Sequence, residues 1–150
     1  MRQGLTLVEL LIALALASLV GMIALPRLGR PLASLRVEQE AQRLAAAHTR
    51  ARLIAIGTSR VALLRVGADS VTIRTLESGD TLLRWRGPGP AAAGVGLTAP
   101  ARTLYFAPVG ITYGASNATW TLSYRGVVRR VIVSRLGRVR IERGQAPYSP

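Results

Sequence analysis

Gly4-Leu5-Thr6-Leu7-Val8-Glu9-Leu10-Leu11-Ile12 opens a run that stays apolar or uncharged to Leu25 and Pro26, with Glu9 its single charge. An ionisable side chain at membrane depth is costly and marks function, usually with a partner of opposite sign. As a helix, Leu5–Leu25 extends about 31 Å at ~1.5 Å per residue, matching a hydrocarbon core of ~30 Å. Glu9 then lies roughly 6 Å inside the start of that helix. The segment in front, Met1-Arg2-Gln3-Gly4, is short and basic and ends in a small residue. A secretory signal carries its small-residue cleavage site after the apolar run. Here the only convincing site precedes it. Cleavage after Gly4 would leave the helix on the mature chain and create a new amine at Leu5.

This stretch closely resembles the N-terminal motif of the type IV prepilin and pseudopilin family. That motif is a Gly cleavage site, an apolar first residue, Thr, a hydrophobic pair and then Glu. Gly4, Leu5, Thr6, Leu7, Val8 and Glu9 match it position by position, and Pro26 falls at the family's helix-bending proline. Leu5 is a mild departure, since Phe is commonest there. The resemblance implies a prepilin peptidase that cuts between Gly4 and Leu5 on the cytoplasmic side and methylates the Leu5 amine. A Leu5 ammonium and the Glu9 carboxylate of a neighbouring subunit would neutralise one another in lipid, where either charge alone costs several kcal/mol. Such a pair sets axial register between stacked helices. Arg27, Arg30 and Arg36 follow the run and only Arg2 precedes it, which by charge count would leave the C-terminal part in the cytoplasm. Processing at Gly4 requires a cytoplasmic N-terminus, so the expected topology follows the motif: a single pass through the bacterial inner membrane, with an extracytoplasmic C-terminal domain.

Residues 34–150 suffice for one small domain with a single core. The chain has no cysteine, hence no disulfide or thiolate metal site. Its one histidine, His48, sits in a helical run and has no nucleophile to serve, so it reads as a packing or surface residue. The acids beyond Glu9 are Glu38, Glu40, Asp69, Glu77, Asp80 and Glu142, with no pair spaced for acid–base work or a hard-metal cage. All 20 basic residues are Arg, and no Gly-rich phosphate loop ends in Lys. These residues point away from an enzyme and call for no cofactor or metal.

Pro26, Gly29 and Pro31 predict a kink or a short melted turn, with helix resuming near Ser34 as N-cap. Ala41, Leu44, His48, Ala51 and Ala55 share one face at i+3/i+4 spacing, Glu40, Arg43 and Arg50 lie on the other, and Gly57 is the natural stop. From Arg60 the period becomes two. Val61–Val66 and Val71–Leu76 flank Gly67-Ala68-Asp69-Ser70 as a hairpin, and Glu77-Ser78-Gly79-Asp80 turns into Thr81–Trp85. Gly87–Gly96 reads as a surface loop. Strands follow at Thr103–Phe106, Thr119–Tyr124, Val127–Val133 and Arg138–Ile141, with turns at Arg125-Gly126 and Gly137. The fold class is α+β: a long N-terminal helix, its first half transmembrane, packed on a twisted antiparallel sheet. The expected organisation is a leader over 1–4, an assembly helix over 5–26, an amphipathic helix over 27–57, a β-rich domain over 58–144 and a tail over 145–150.

The second half resembles, more narrowly, the C-terminal domain of the GspH/FimT minor pseudopilins. The residues that carry this are Phe106-Ala107-Pro108-Val109-Gly110, Val131-Ile132-Val133-Ser134 and Gly137-Arg138-Val139-Arg140, with Arg52, Ala55 and Gly57 at the helix-to-strand junction. The resemblance implies a minor pseudopilin of a type II secretion system, partnered by other pilin or pseudopilin subunits. Its alternative implication is a FimT-like minor type IV pilin that takes up DNA through the Gly-Arg-x-Arg arginines. Arg125, Arg129, Arg130, Arg135, Arg138, Arg140 and Arg143 form a cluster with Glu142 as its one acid. Such a patch suits phosphates, with affinity that falls in salt. Alternating arginines also guard an edge strand against unwanted pairing, and acidic lipid headgroups would attract them too.

Overall fold

The computed structural model describes residues 6–24, 29–99, 103–114, 117–134 and 136–144. The chain divides into two units, Met1–Leu32 and Ala33–Pro150. The first holds α1 (Leu7–Ala24), apolar on every side apart from Glu9. Among the described residues, no helix is long and apolar enough to cross a membrane. Leu5 and Leu25, the expected ends of the span, lie outside the described residues, as does the Pro26 kink.

The next helix, α2 (Gly29–Thr58), begins five residues before the expected Ser34. Pro31 therefore stands in the first turn, where a backbone N–H has no intrahelical acceptor and its loss is harmless. The helix also passes Gly57. Its end is a Schellman arrangement in which Ser59, at φ 51°, takes the left-handed position. Ser59 N donates to the Ile56 carbonyl at 3.2 Å and Arg60 N to the Ala55 carbonyl at 3.3 Å.

The strands are β1 (Ala62–Val66), β2 (Ser70–Glu77), β3 (Asp80–Pro88), β4 (Gly96–Thr98), β5 (Thr103–Phe106), β6 (Thr112–Tyr113), β7 (Ala118–Tyr124), β8 (Val127–Val133) and β9 (Val139–Gly144). They form two antiparallel sheets where sequence periodicity suggested one. The first has the order β3-β2-β1-β5-β6 and the second β4-β7-β8-β9. α+β is correct, and α2 packs on both sheets. Its buried stripe is mostly alanine: Ala33, Ala41, Ala47, Ala51 and Ala55, with Val37, Leu44 and His48. Small side chains let the helix lie close, so that Leu64, Ile73, Leu104 and Phe106 of one sheet and Trp120, Leu122, Val131 and Val133 of the other join one core. His48 meets Phe106 edge to face at 5.0 Å, and Arg50 lies over the Trp85 ring at 5.0 Å.

Gly87–Gly96 is not a free surface loop. β3 runs on to Pro88, Pro90–Ala93 forms a 3₁₀ turn, and Pro90 and Val95 are buried. Gly89 N donates to the Asp69 carbonyl and Ala91 N to the Ala68 carbonyl, both at 2.9 Å. A side chain at Gly89 would stand 2.2 Å from the Ala68 oxygen, so only glycine permits that approach. Glu40, expected on the polar face, is 3% exposed. It lines a depression with Arg36, Gln39, Ala92, Ala93 and Gly94 and pairs with Arg43 at 3.0 Å. The Phe106–Gly110 motif becomes the β5–β6 turn, closed by Ala107 N to the Ile111 carbonyl at 2.8 Å. Gly110 has φ 79°, and a side chain there would meet Ile56 Cδ1 at 2.7 Å.

His48 is a packing residue with a titration consequence. Burial first, and the charge of Arg52 second, pull its pKa from 6.5 to about 4. The unfolded chain binds the proton near pH 6.5 and the folded one only near pH 4, so stability rises with pH across that window. We predict that the chain loses stability between about pH 7 and pH 4.5, by at most about 3 kcal/mol, and that His48→Leu flattens this dependence. Urea unfolding monitored by tryptophan fluorescence at both pH values checks it; equal slopes for the two proteins would assign the dependence elsewhere.

Candidate functional site

The start of α1 is built by its own sequence. Thr6 is the N-cap: its carbonyl accepts from Leu10 N at 3.2 Å and its Oγ1 accepts from Glu9 N at 3.3 Å. Thr6-x-x-Glu9 is thus the hydroxyl half of a capping box, a signal that sequence inspection centred on the Glu9 charge overlooks. Glu9 stands in the first turn, where a carboxylate also suits the helix dipole. Along the helix Leu7, Val8, Leu10, Leu11, Ile12, Leu14, Leu16, Leu19, Val20 and Met22 are exposed. A helix apolar on all sides needs lipid or other helices around it. Gly4 and Leu5, the expected processing site, lie outside the described residues.

The C-terminal arginines do not form one patch. β8 and β9 pair with Arg129 opposite Arg143, Arg130 opposite Glu142 and Ile132 opposite Arg140. Alternation along β8 turns Arg129 to the helix side and Arg130 to the other. Arg129 Nε donates to Glu38 Oε2 at 2.9 Å, and its Nη2 to Ser34 Oγ at 3.2 Å. Its side chain is only 14% exposed. The Glu38 carboxyl is held below its ordinary 4.5 by the hydrogen bond from Arg129, then by Gln42 and by the charges of Arg129 and Arg143, against a smaller opposing effect of burial.

Arg125 sits in the two-residue β7–β8 turn with Gly126, at φ 45° and 77°. Its guanidinium lies over the Tyr124 ring at 5.4 Å; Arg36 approaches the same ring at 4.9 Å and donates to Tyr124 Oη at 2.9 Å. Arg140 pairs with Glu142 on the edge strand. Arg138 occupies the β8–β9 turn, its N–H donating to Ser134 Oγ at 3.1 Å. Arg135 lies outside the described residues. Arg125, Arg130, Arg138, Arg140 and Arg143 are exposed.

Residues 1–25 match the family model of the prokaryotic N-terminal methylation motif. The chain is 33% identical over 156 residues to the pilin-like protein PilA1 of Thermus thermophilus, an alignment that covers 94% of this chain and 99% of that protein. Among solved structures it resembles the type IV minor pilin FimU of Pseudomonas aeruginosa, with TM-score 0.59, 20% identity, and coverage of 71% of this chain and 87% of FimU. It also resembles the minor pseudopilin EpsH from the type 2 secretion system of Vibrio cholerae, with TM-score 0.57, 16% identity, and coverage of 72% and 97%.

The Glu38–Arg129 contact is open to test. Glu38→Gln leaves Arg129 facing Arg143 with no carboxylate between them, and we predict a loss of about 1–3 kcal/mol. Glu38→Gln/Arg129→Gln should recover part of that loss in thermal unfolding. A double variant less stable than the sum of the single ones would show that the pair is not coupled in this way.

Proposed function

Since this chain belongs to the type IV pilin and pseudopilin superfamily, we propose that it is a minor subunit inserted through its N-terminal helix into a type IV pilus-like filament. The observation that carries this is α1 itself: a helix apolar on every side with one carboxylate in its first turn, lying within the methylation motif. On this reading residues 1–4 are removed by a prepilin peptidase, Leu5 becomes the methylated first residue, and 5–26 form the assembly helix with its bend at Pro26. Residues 27–57 lead into the β-rich domain over 58–144, and 145–150 are a tail. The helix anchors the subunit in the bacterial inner membrane, N-terminus inward, until assembly. Glu9 then neutralises the Leu5 amine of the next subunit, because neither charge is tolerable alone in a low-dielectric bundle.

The pilus reading takes precedence over a secretion pseudopilus because the relative that aligns over nearly the whole chain is named a pilin-like protein. The likeness to the secretion pseudopilin is one of fold, and that role stands second. A DNA-capturing version of the pilus role would draw on the exposed Arg125, Arg130, Arg138, Arg140 and Arg143, since Arg129 is engaged within the domain.

Glu9 has two roles to separate, capping and charge pairing. Glutamine at the third helical position still completes a capping box but carries no charge. We predict that Glu9→Gln is processed normally yet enters sheared filaments several-fold less than the unsubstituted chain, as Glu9→Ala does. Immunoblots of membrane and filament fractions measure both steps. Normal incorporation of Glu9→Gln alongside poor incorporation of Glu9→Ala would leave capping as the role of Glu9.

A further inference from the structure

The five-stranded sheet has a second face, turned away from α2, whose side chains follow directly from the register. One row across the strands reads Thr103, Arg65, Thr72, Arg86. The row two residues along reads Tyr113, Tyr105, Leu63, Arg74. Strands lie about 4.8 Å apart and rise ~3.4 Å per residue, so Arg65 and Arg86 stand about 10 Å apart at the backbone, with Arg74 one strand and two residues from Arg65. Arg65, Arg74 and Arg86 line a concavity of about 540 Å³ together with Thr72, Thr103 and, at one end, Asp69. A continuation past Asp69 and Arg86 reaches Gly87 and Pro88.

Two features mark this face. First, among the described residues none of the three guanidiniums has a carboxylate partner, and Arg74 alone makes a side-chain hydrogen bond, to Thr81 Oγ1 at 3.0 Å. Elsewhere Arg43, Arg60, Arg84, Arg129 and Arg140 are paired with acids. Second, Tyr105 and Tyr113 are 40% and 46% exposed on the same face, with ring centroids 5.8 Å apart. Buried tyrosines pack a core; these two present their rings to whatever lies on the sheet.

Unpaired guanidiniums and hydroxyls are the groups that hold phosphate oxygens, and exposed rings are platforms on which unstacked bases lie. We propose that this face binds a single strand of nucleic acid, with Arg65, Arg74 and Arg86 on successive phosphates and Tyr105 and Tyr113 under the bases. A duplex hides its base faces and offers the tyrosines nothing. An acidic protein partner would need an apolar anchor, and Leu63 is the one apolar side chain in the concavity apart from Ala68. The chain's net charge of +13 supplies long-range attraction. This inference is independent of the filament role and of the C-terminal arginines.

The test uses the full chain in nonionic detergent and fluorescence anisotropy of a short labelled single-stranded oligodeoxynucleotide. With three phosphates neutralised at a slope of ~−0.7 each, affinity should fall roughly 15–20-fold between 50 and 200 mM salt. Arg65→Gln/Arg86→Gln, exposed residues with no hydrogen bond to lose, should flatten the log–log salt slope by about 1.4 and leave the melting temperature unchanged. Tyr105→Ala/Tyr113→Ala should weaken the oligonucleotide about tenfold or more but leave binding of inorganic polyphosphate as it was. Arg130→Gln/Arg140→Gln, on the other sheet, should flatten the salt slope less than Arg65→Gln/Arg86→Gln does. The proposal is overturned if the unsubstituted chain shows no binding at 50 mM salt, if an acidic peptide binds more tightly than the oligonucleotide, or if the Arg130/Arg140 pair matters as much as the Arg65/Arg86 pair. Normal filament incorporation of the Arg65/Arg86 variant keeps this outcome separate from that of the Glu9 experiment.

Discussion

Burial of one stripe of α2 against two separate sheets is the constraint on which the globular unit rests. Neither sheet closes on itself, and each has one apolar face that must be covered. The helix can serve both because its stripe is largely alanine, which brings the backbone close and lets Phe106, Leu104 and Leu122 fill the space between. Polar contacts then fix the helix at each end. Glu38 and Arg36 hold its first half to β8 and to Tyr124, while His48 and Arg50 hold its second half to Phe106 and Trp85. These contacts are directional, whereas alanine packing is not, so they select one position of the helix along the sheets.

With seven acids against 20 arginines, most guanidiniums have no carboxylate available to them. The acids are placed where like charges would otherwise collide. Glu38 stands beside the facing pair Arg129 and Arg143, Glu77 takes Arg60 and Arg84, and Glu142 takes Arg140. What is left over includes Arg65, Arg74 and Arg86 on the outer face of the five-stranded sheet. That surplus carries little stability and strong electrostatic attraction, and a surface kept in that condition suits a polyanion.

The two units meet different physical demands. α1 carries no polar face, so its stability depends on lipid or on like helices, and its one carboxylate needs a partner of opposite sign in such surroundings. The globular unit has its own core and leaves a polar, basic surface for recognition. A substitution in one unit is therefore expected to leave the other's task intact.

Local signals were legible in the sequence. The apolar run with Glu9, the i+3/i+4 stripe through Leu44, His48 and Ala51, and the period-two strands bounded by Ser78-Gly79 and Arg125-Gly126 each depend on neighbours a few residues apart. They determined the α+β class, the hairpins and most of the core. The helix start at Gly29, the burial of Glu40 and the packing of Pro90 and Val95 were not legible, because each depends on a segment that arrives from elsewhere in the chain. The same holds for charge. Spacing placed Arg125 to Arg143 together, but strand alternation sends Arg129 inward to Glu38, 91 residues away in sequence, and Arg130 outward. Only the register across β5, β1, β2 and β3 sets Arg65, Arg74 and Arg86 beside Tyr105 on one face. Neighbouring residues were enough to say which elements form. Which charges are neutralised was settled by the folded arrangement, because a carboxylate acts over a few ångströms whatever its distance along the chain.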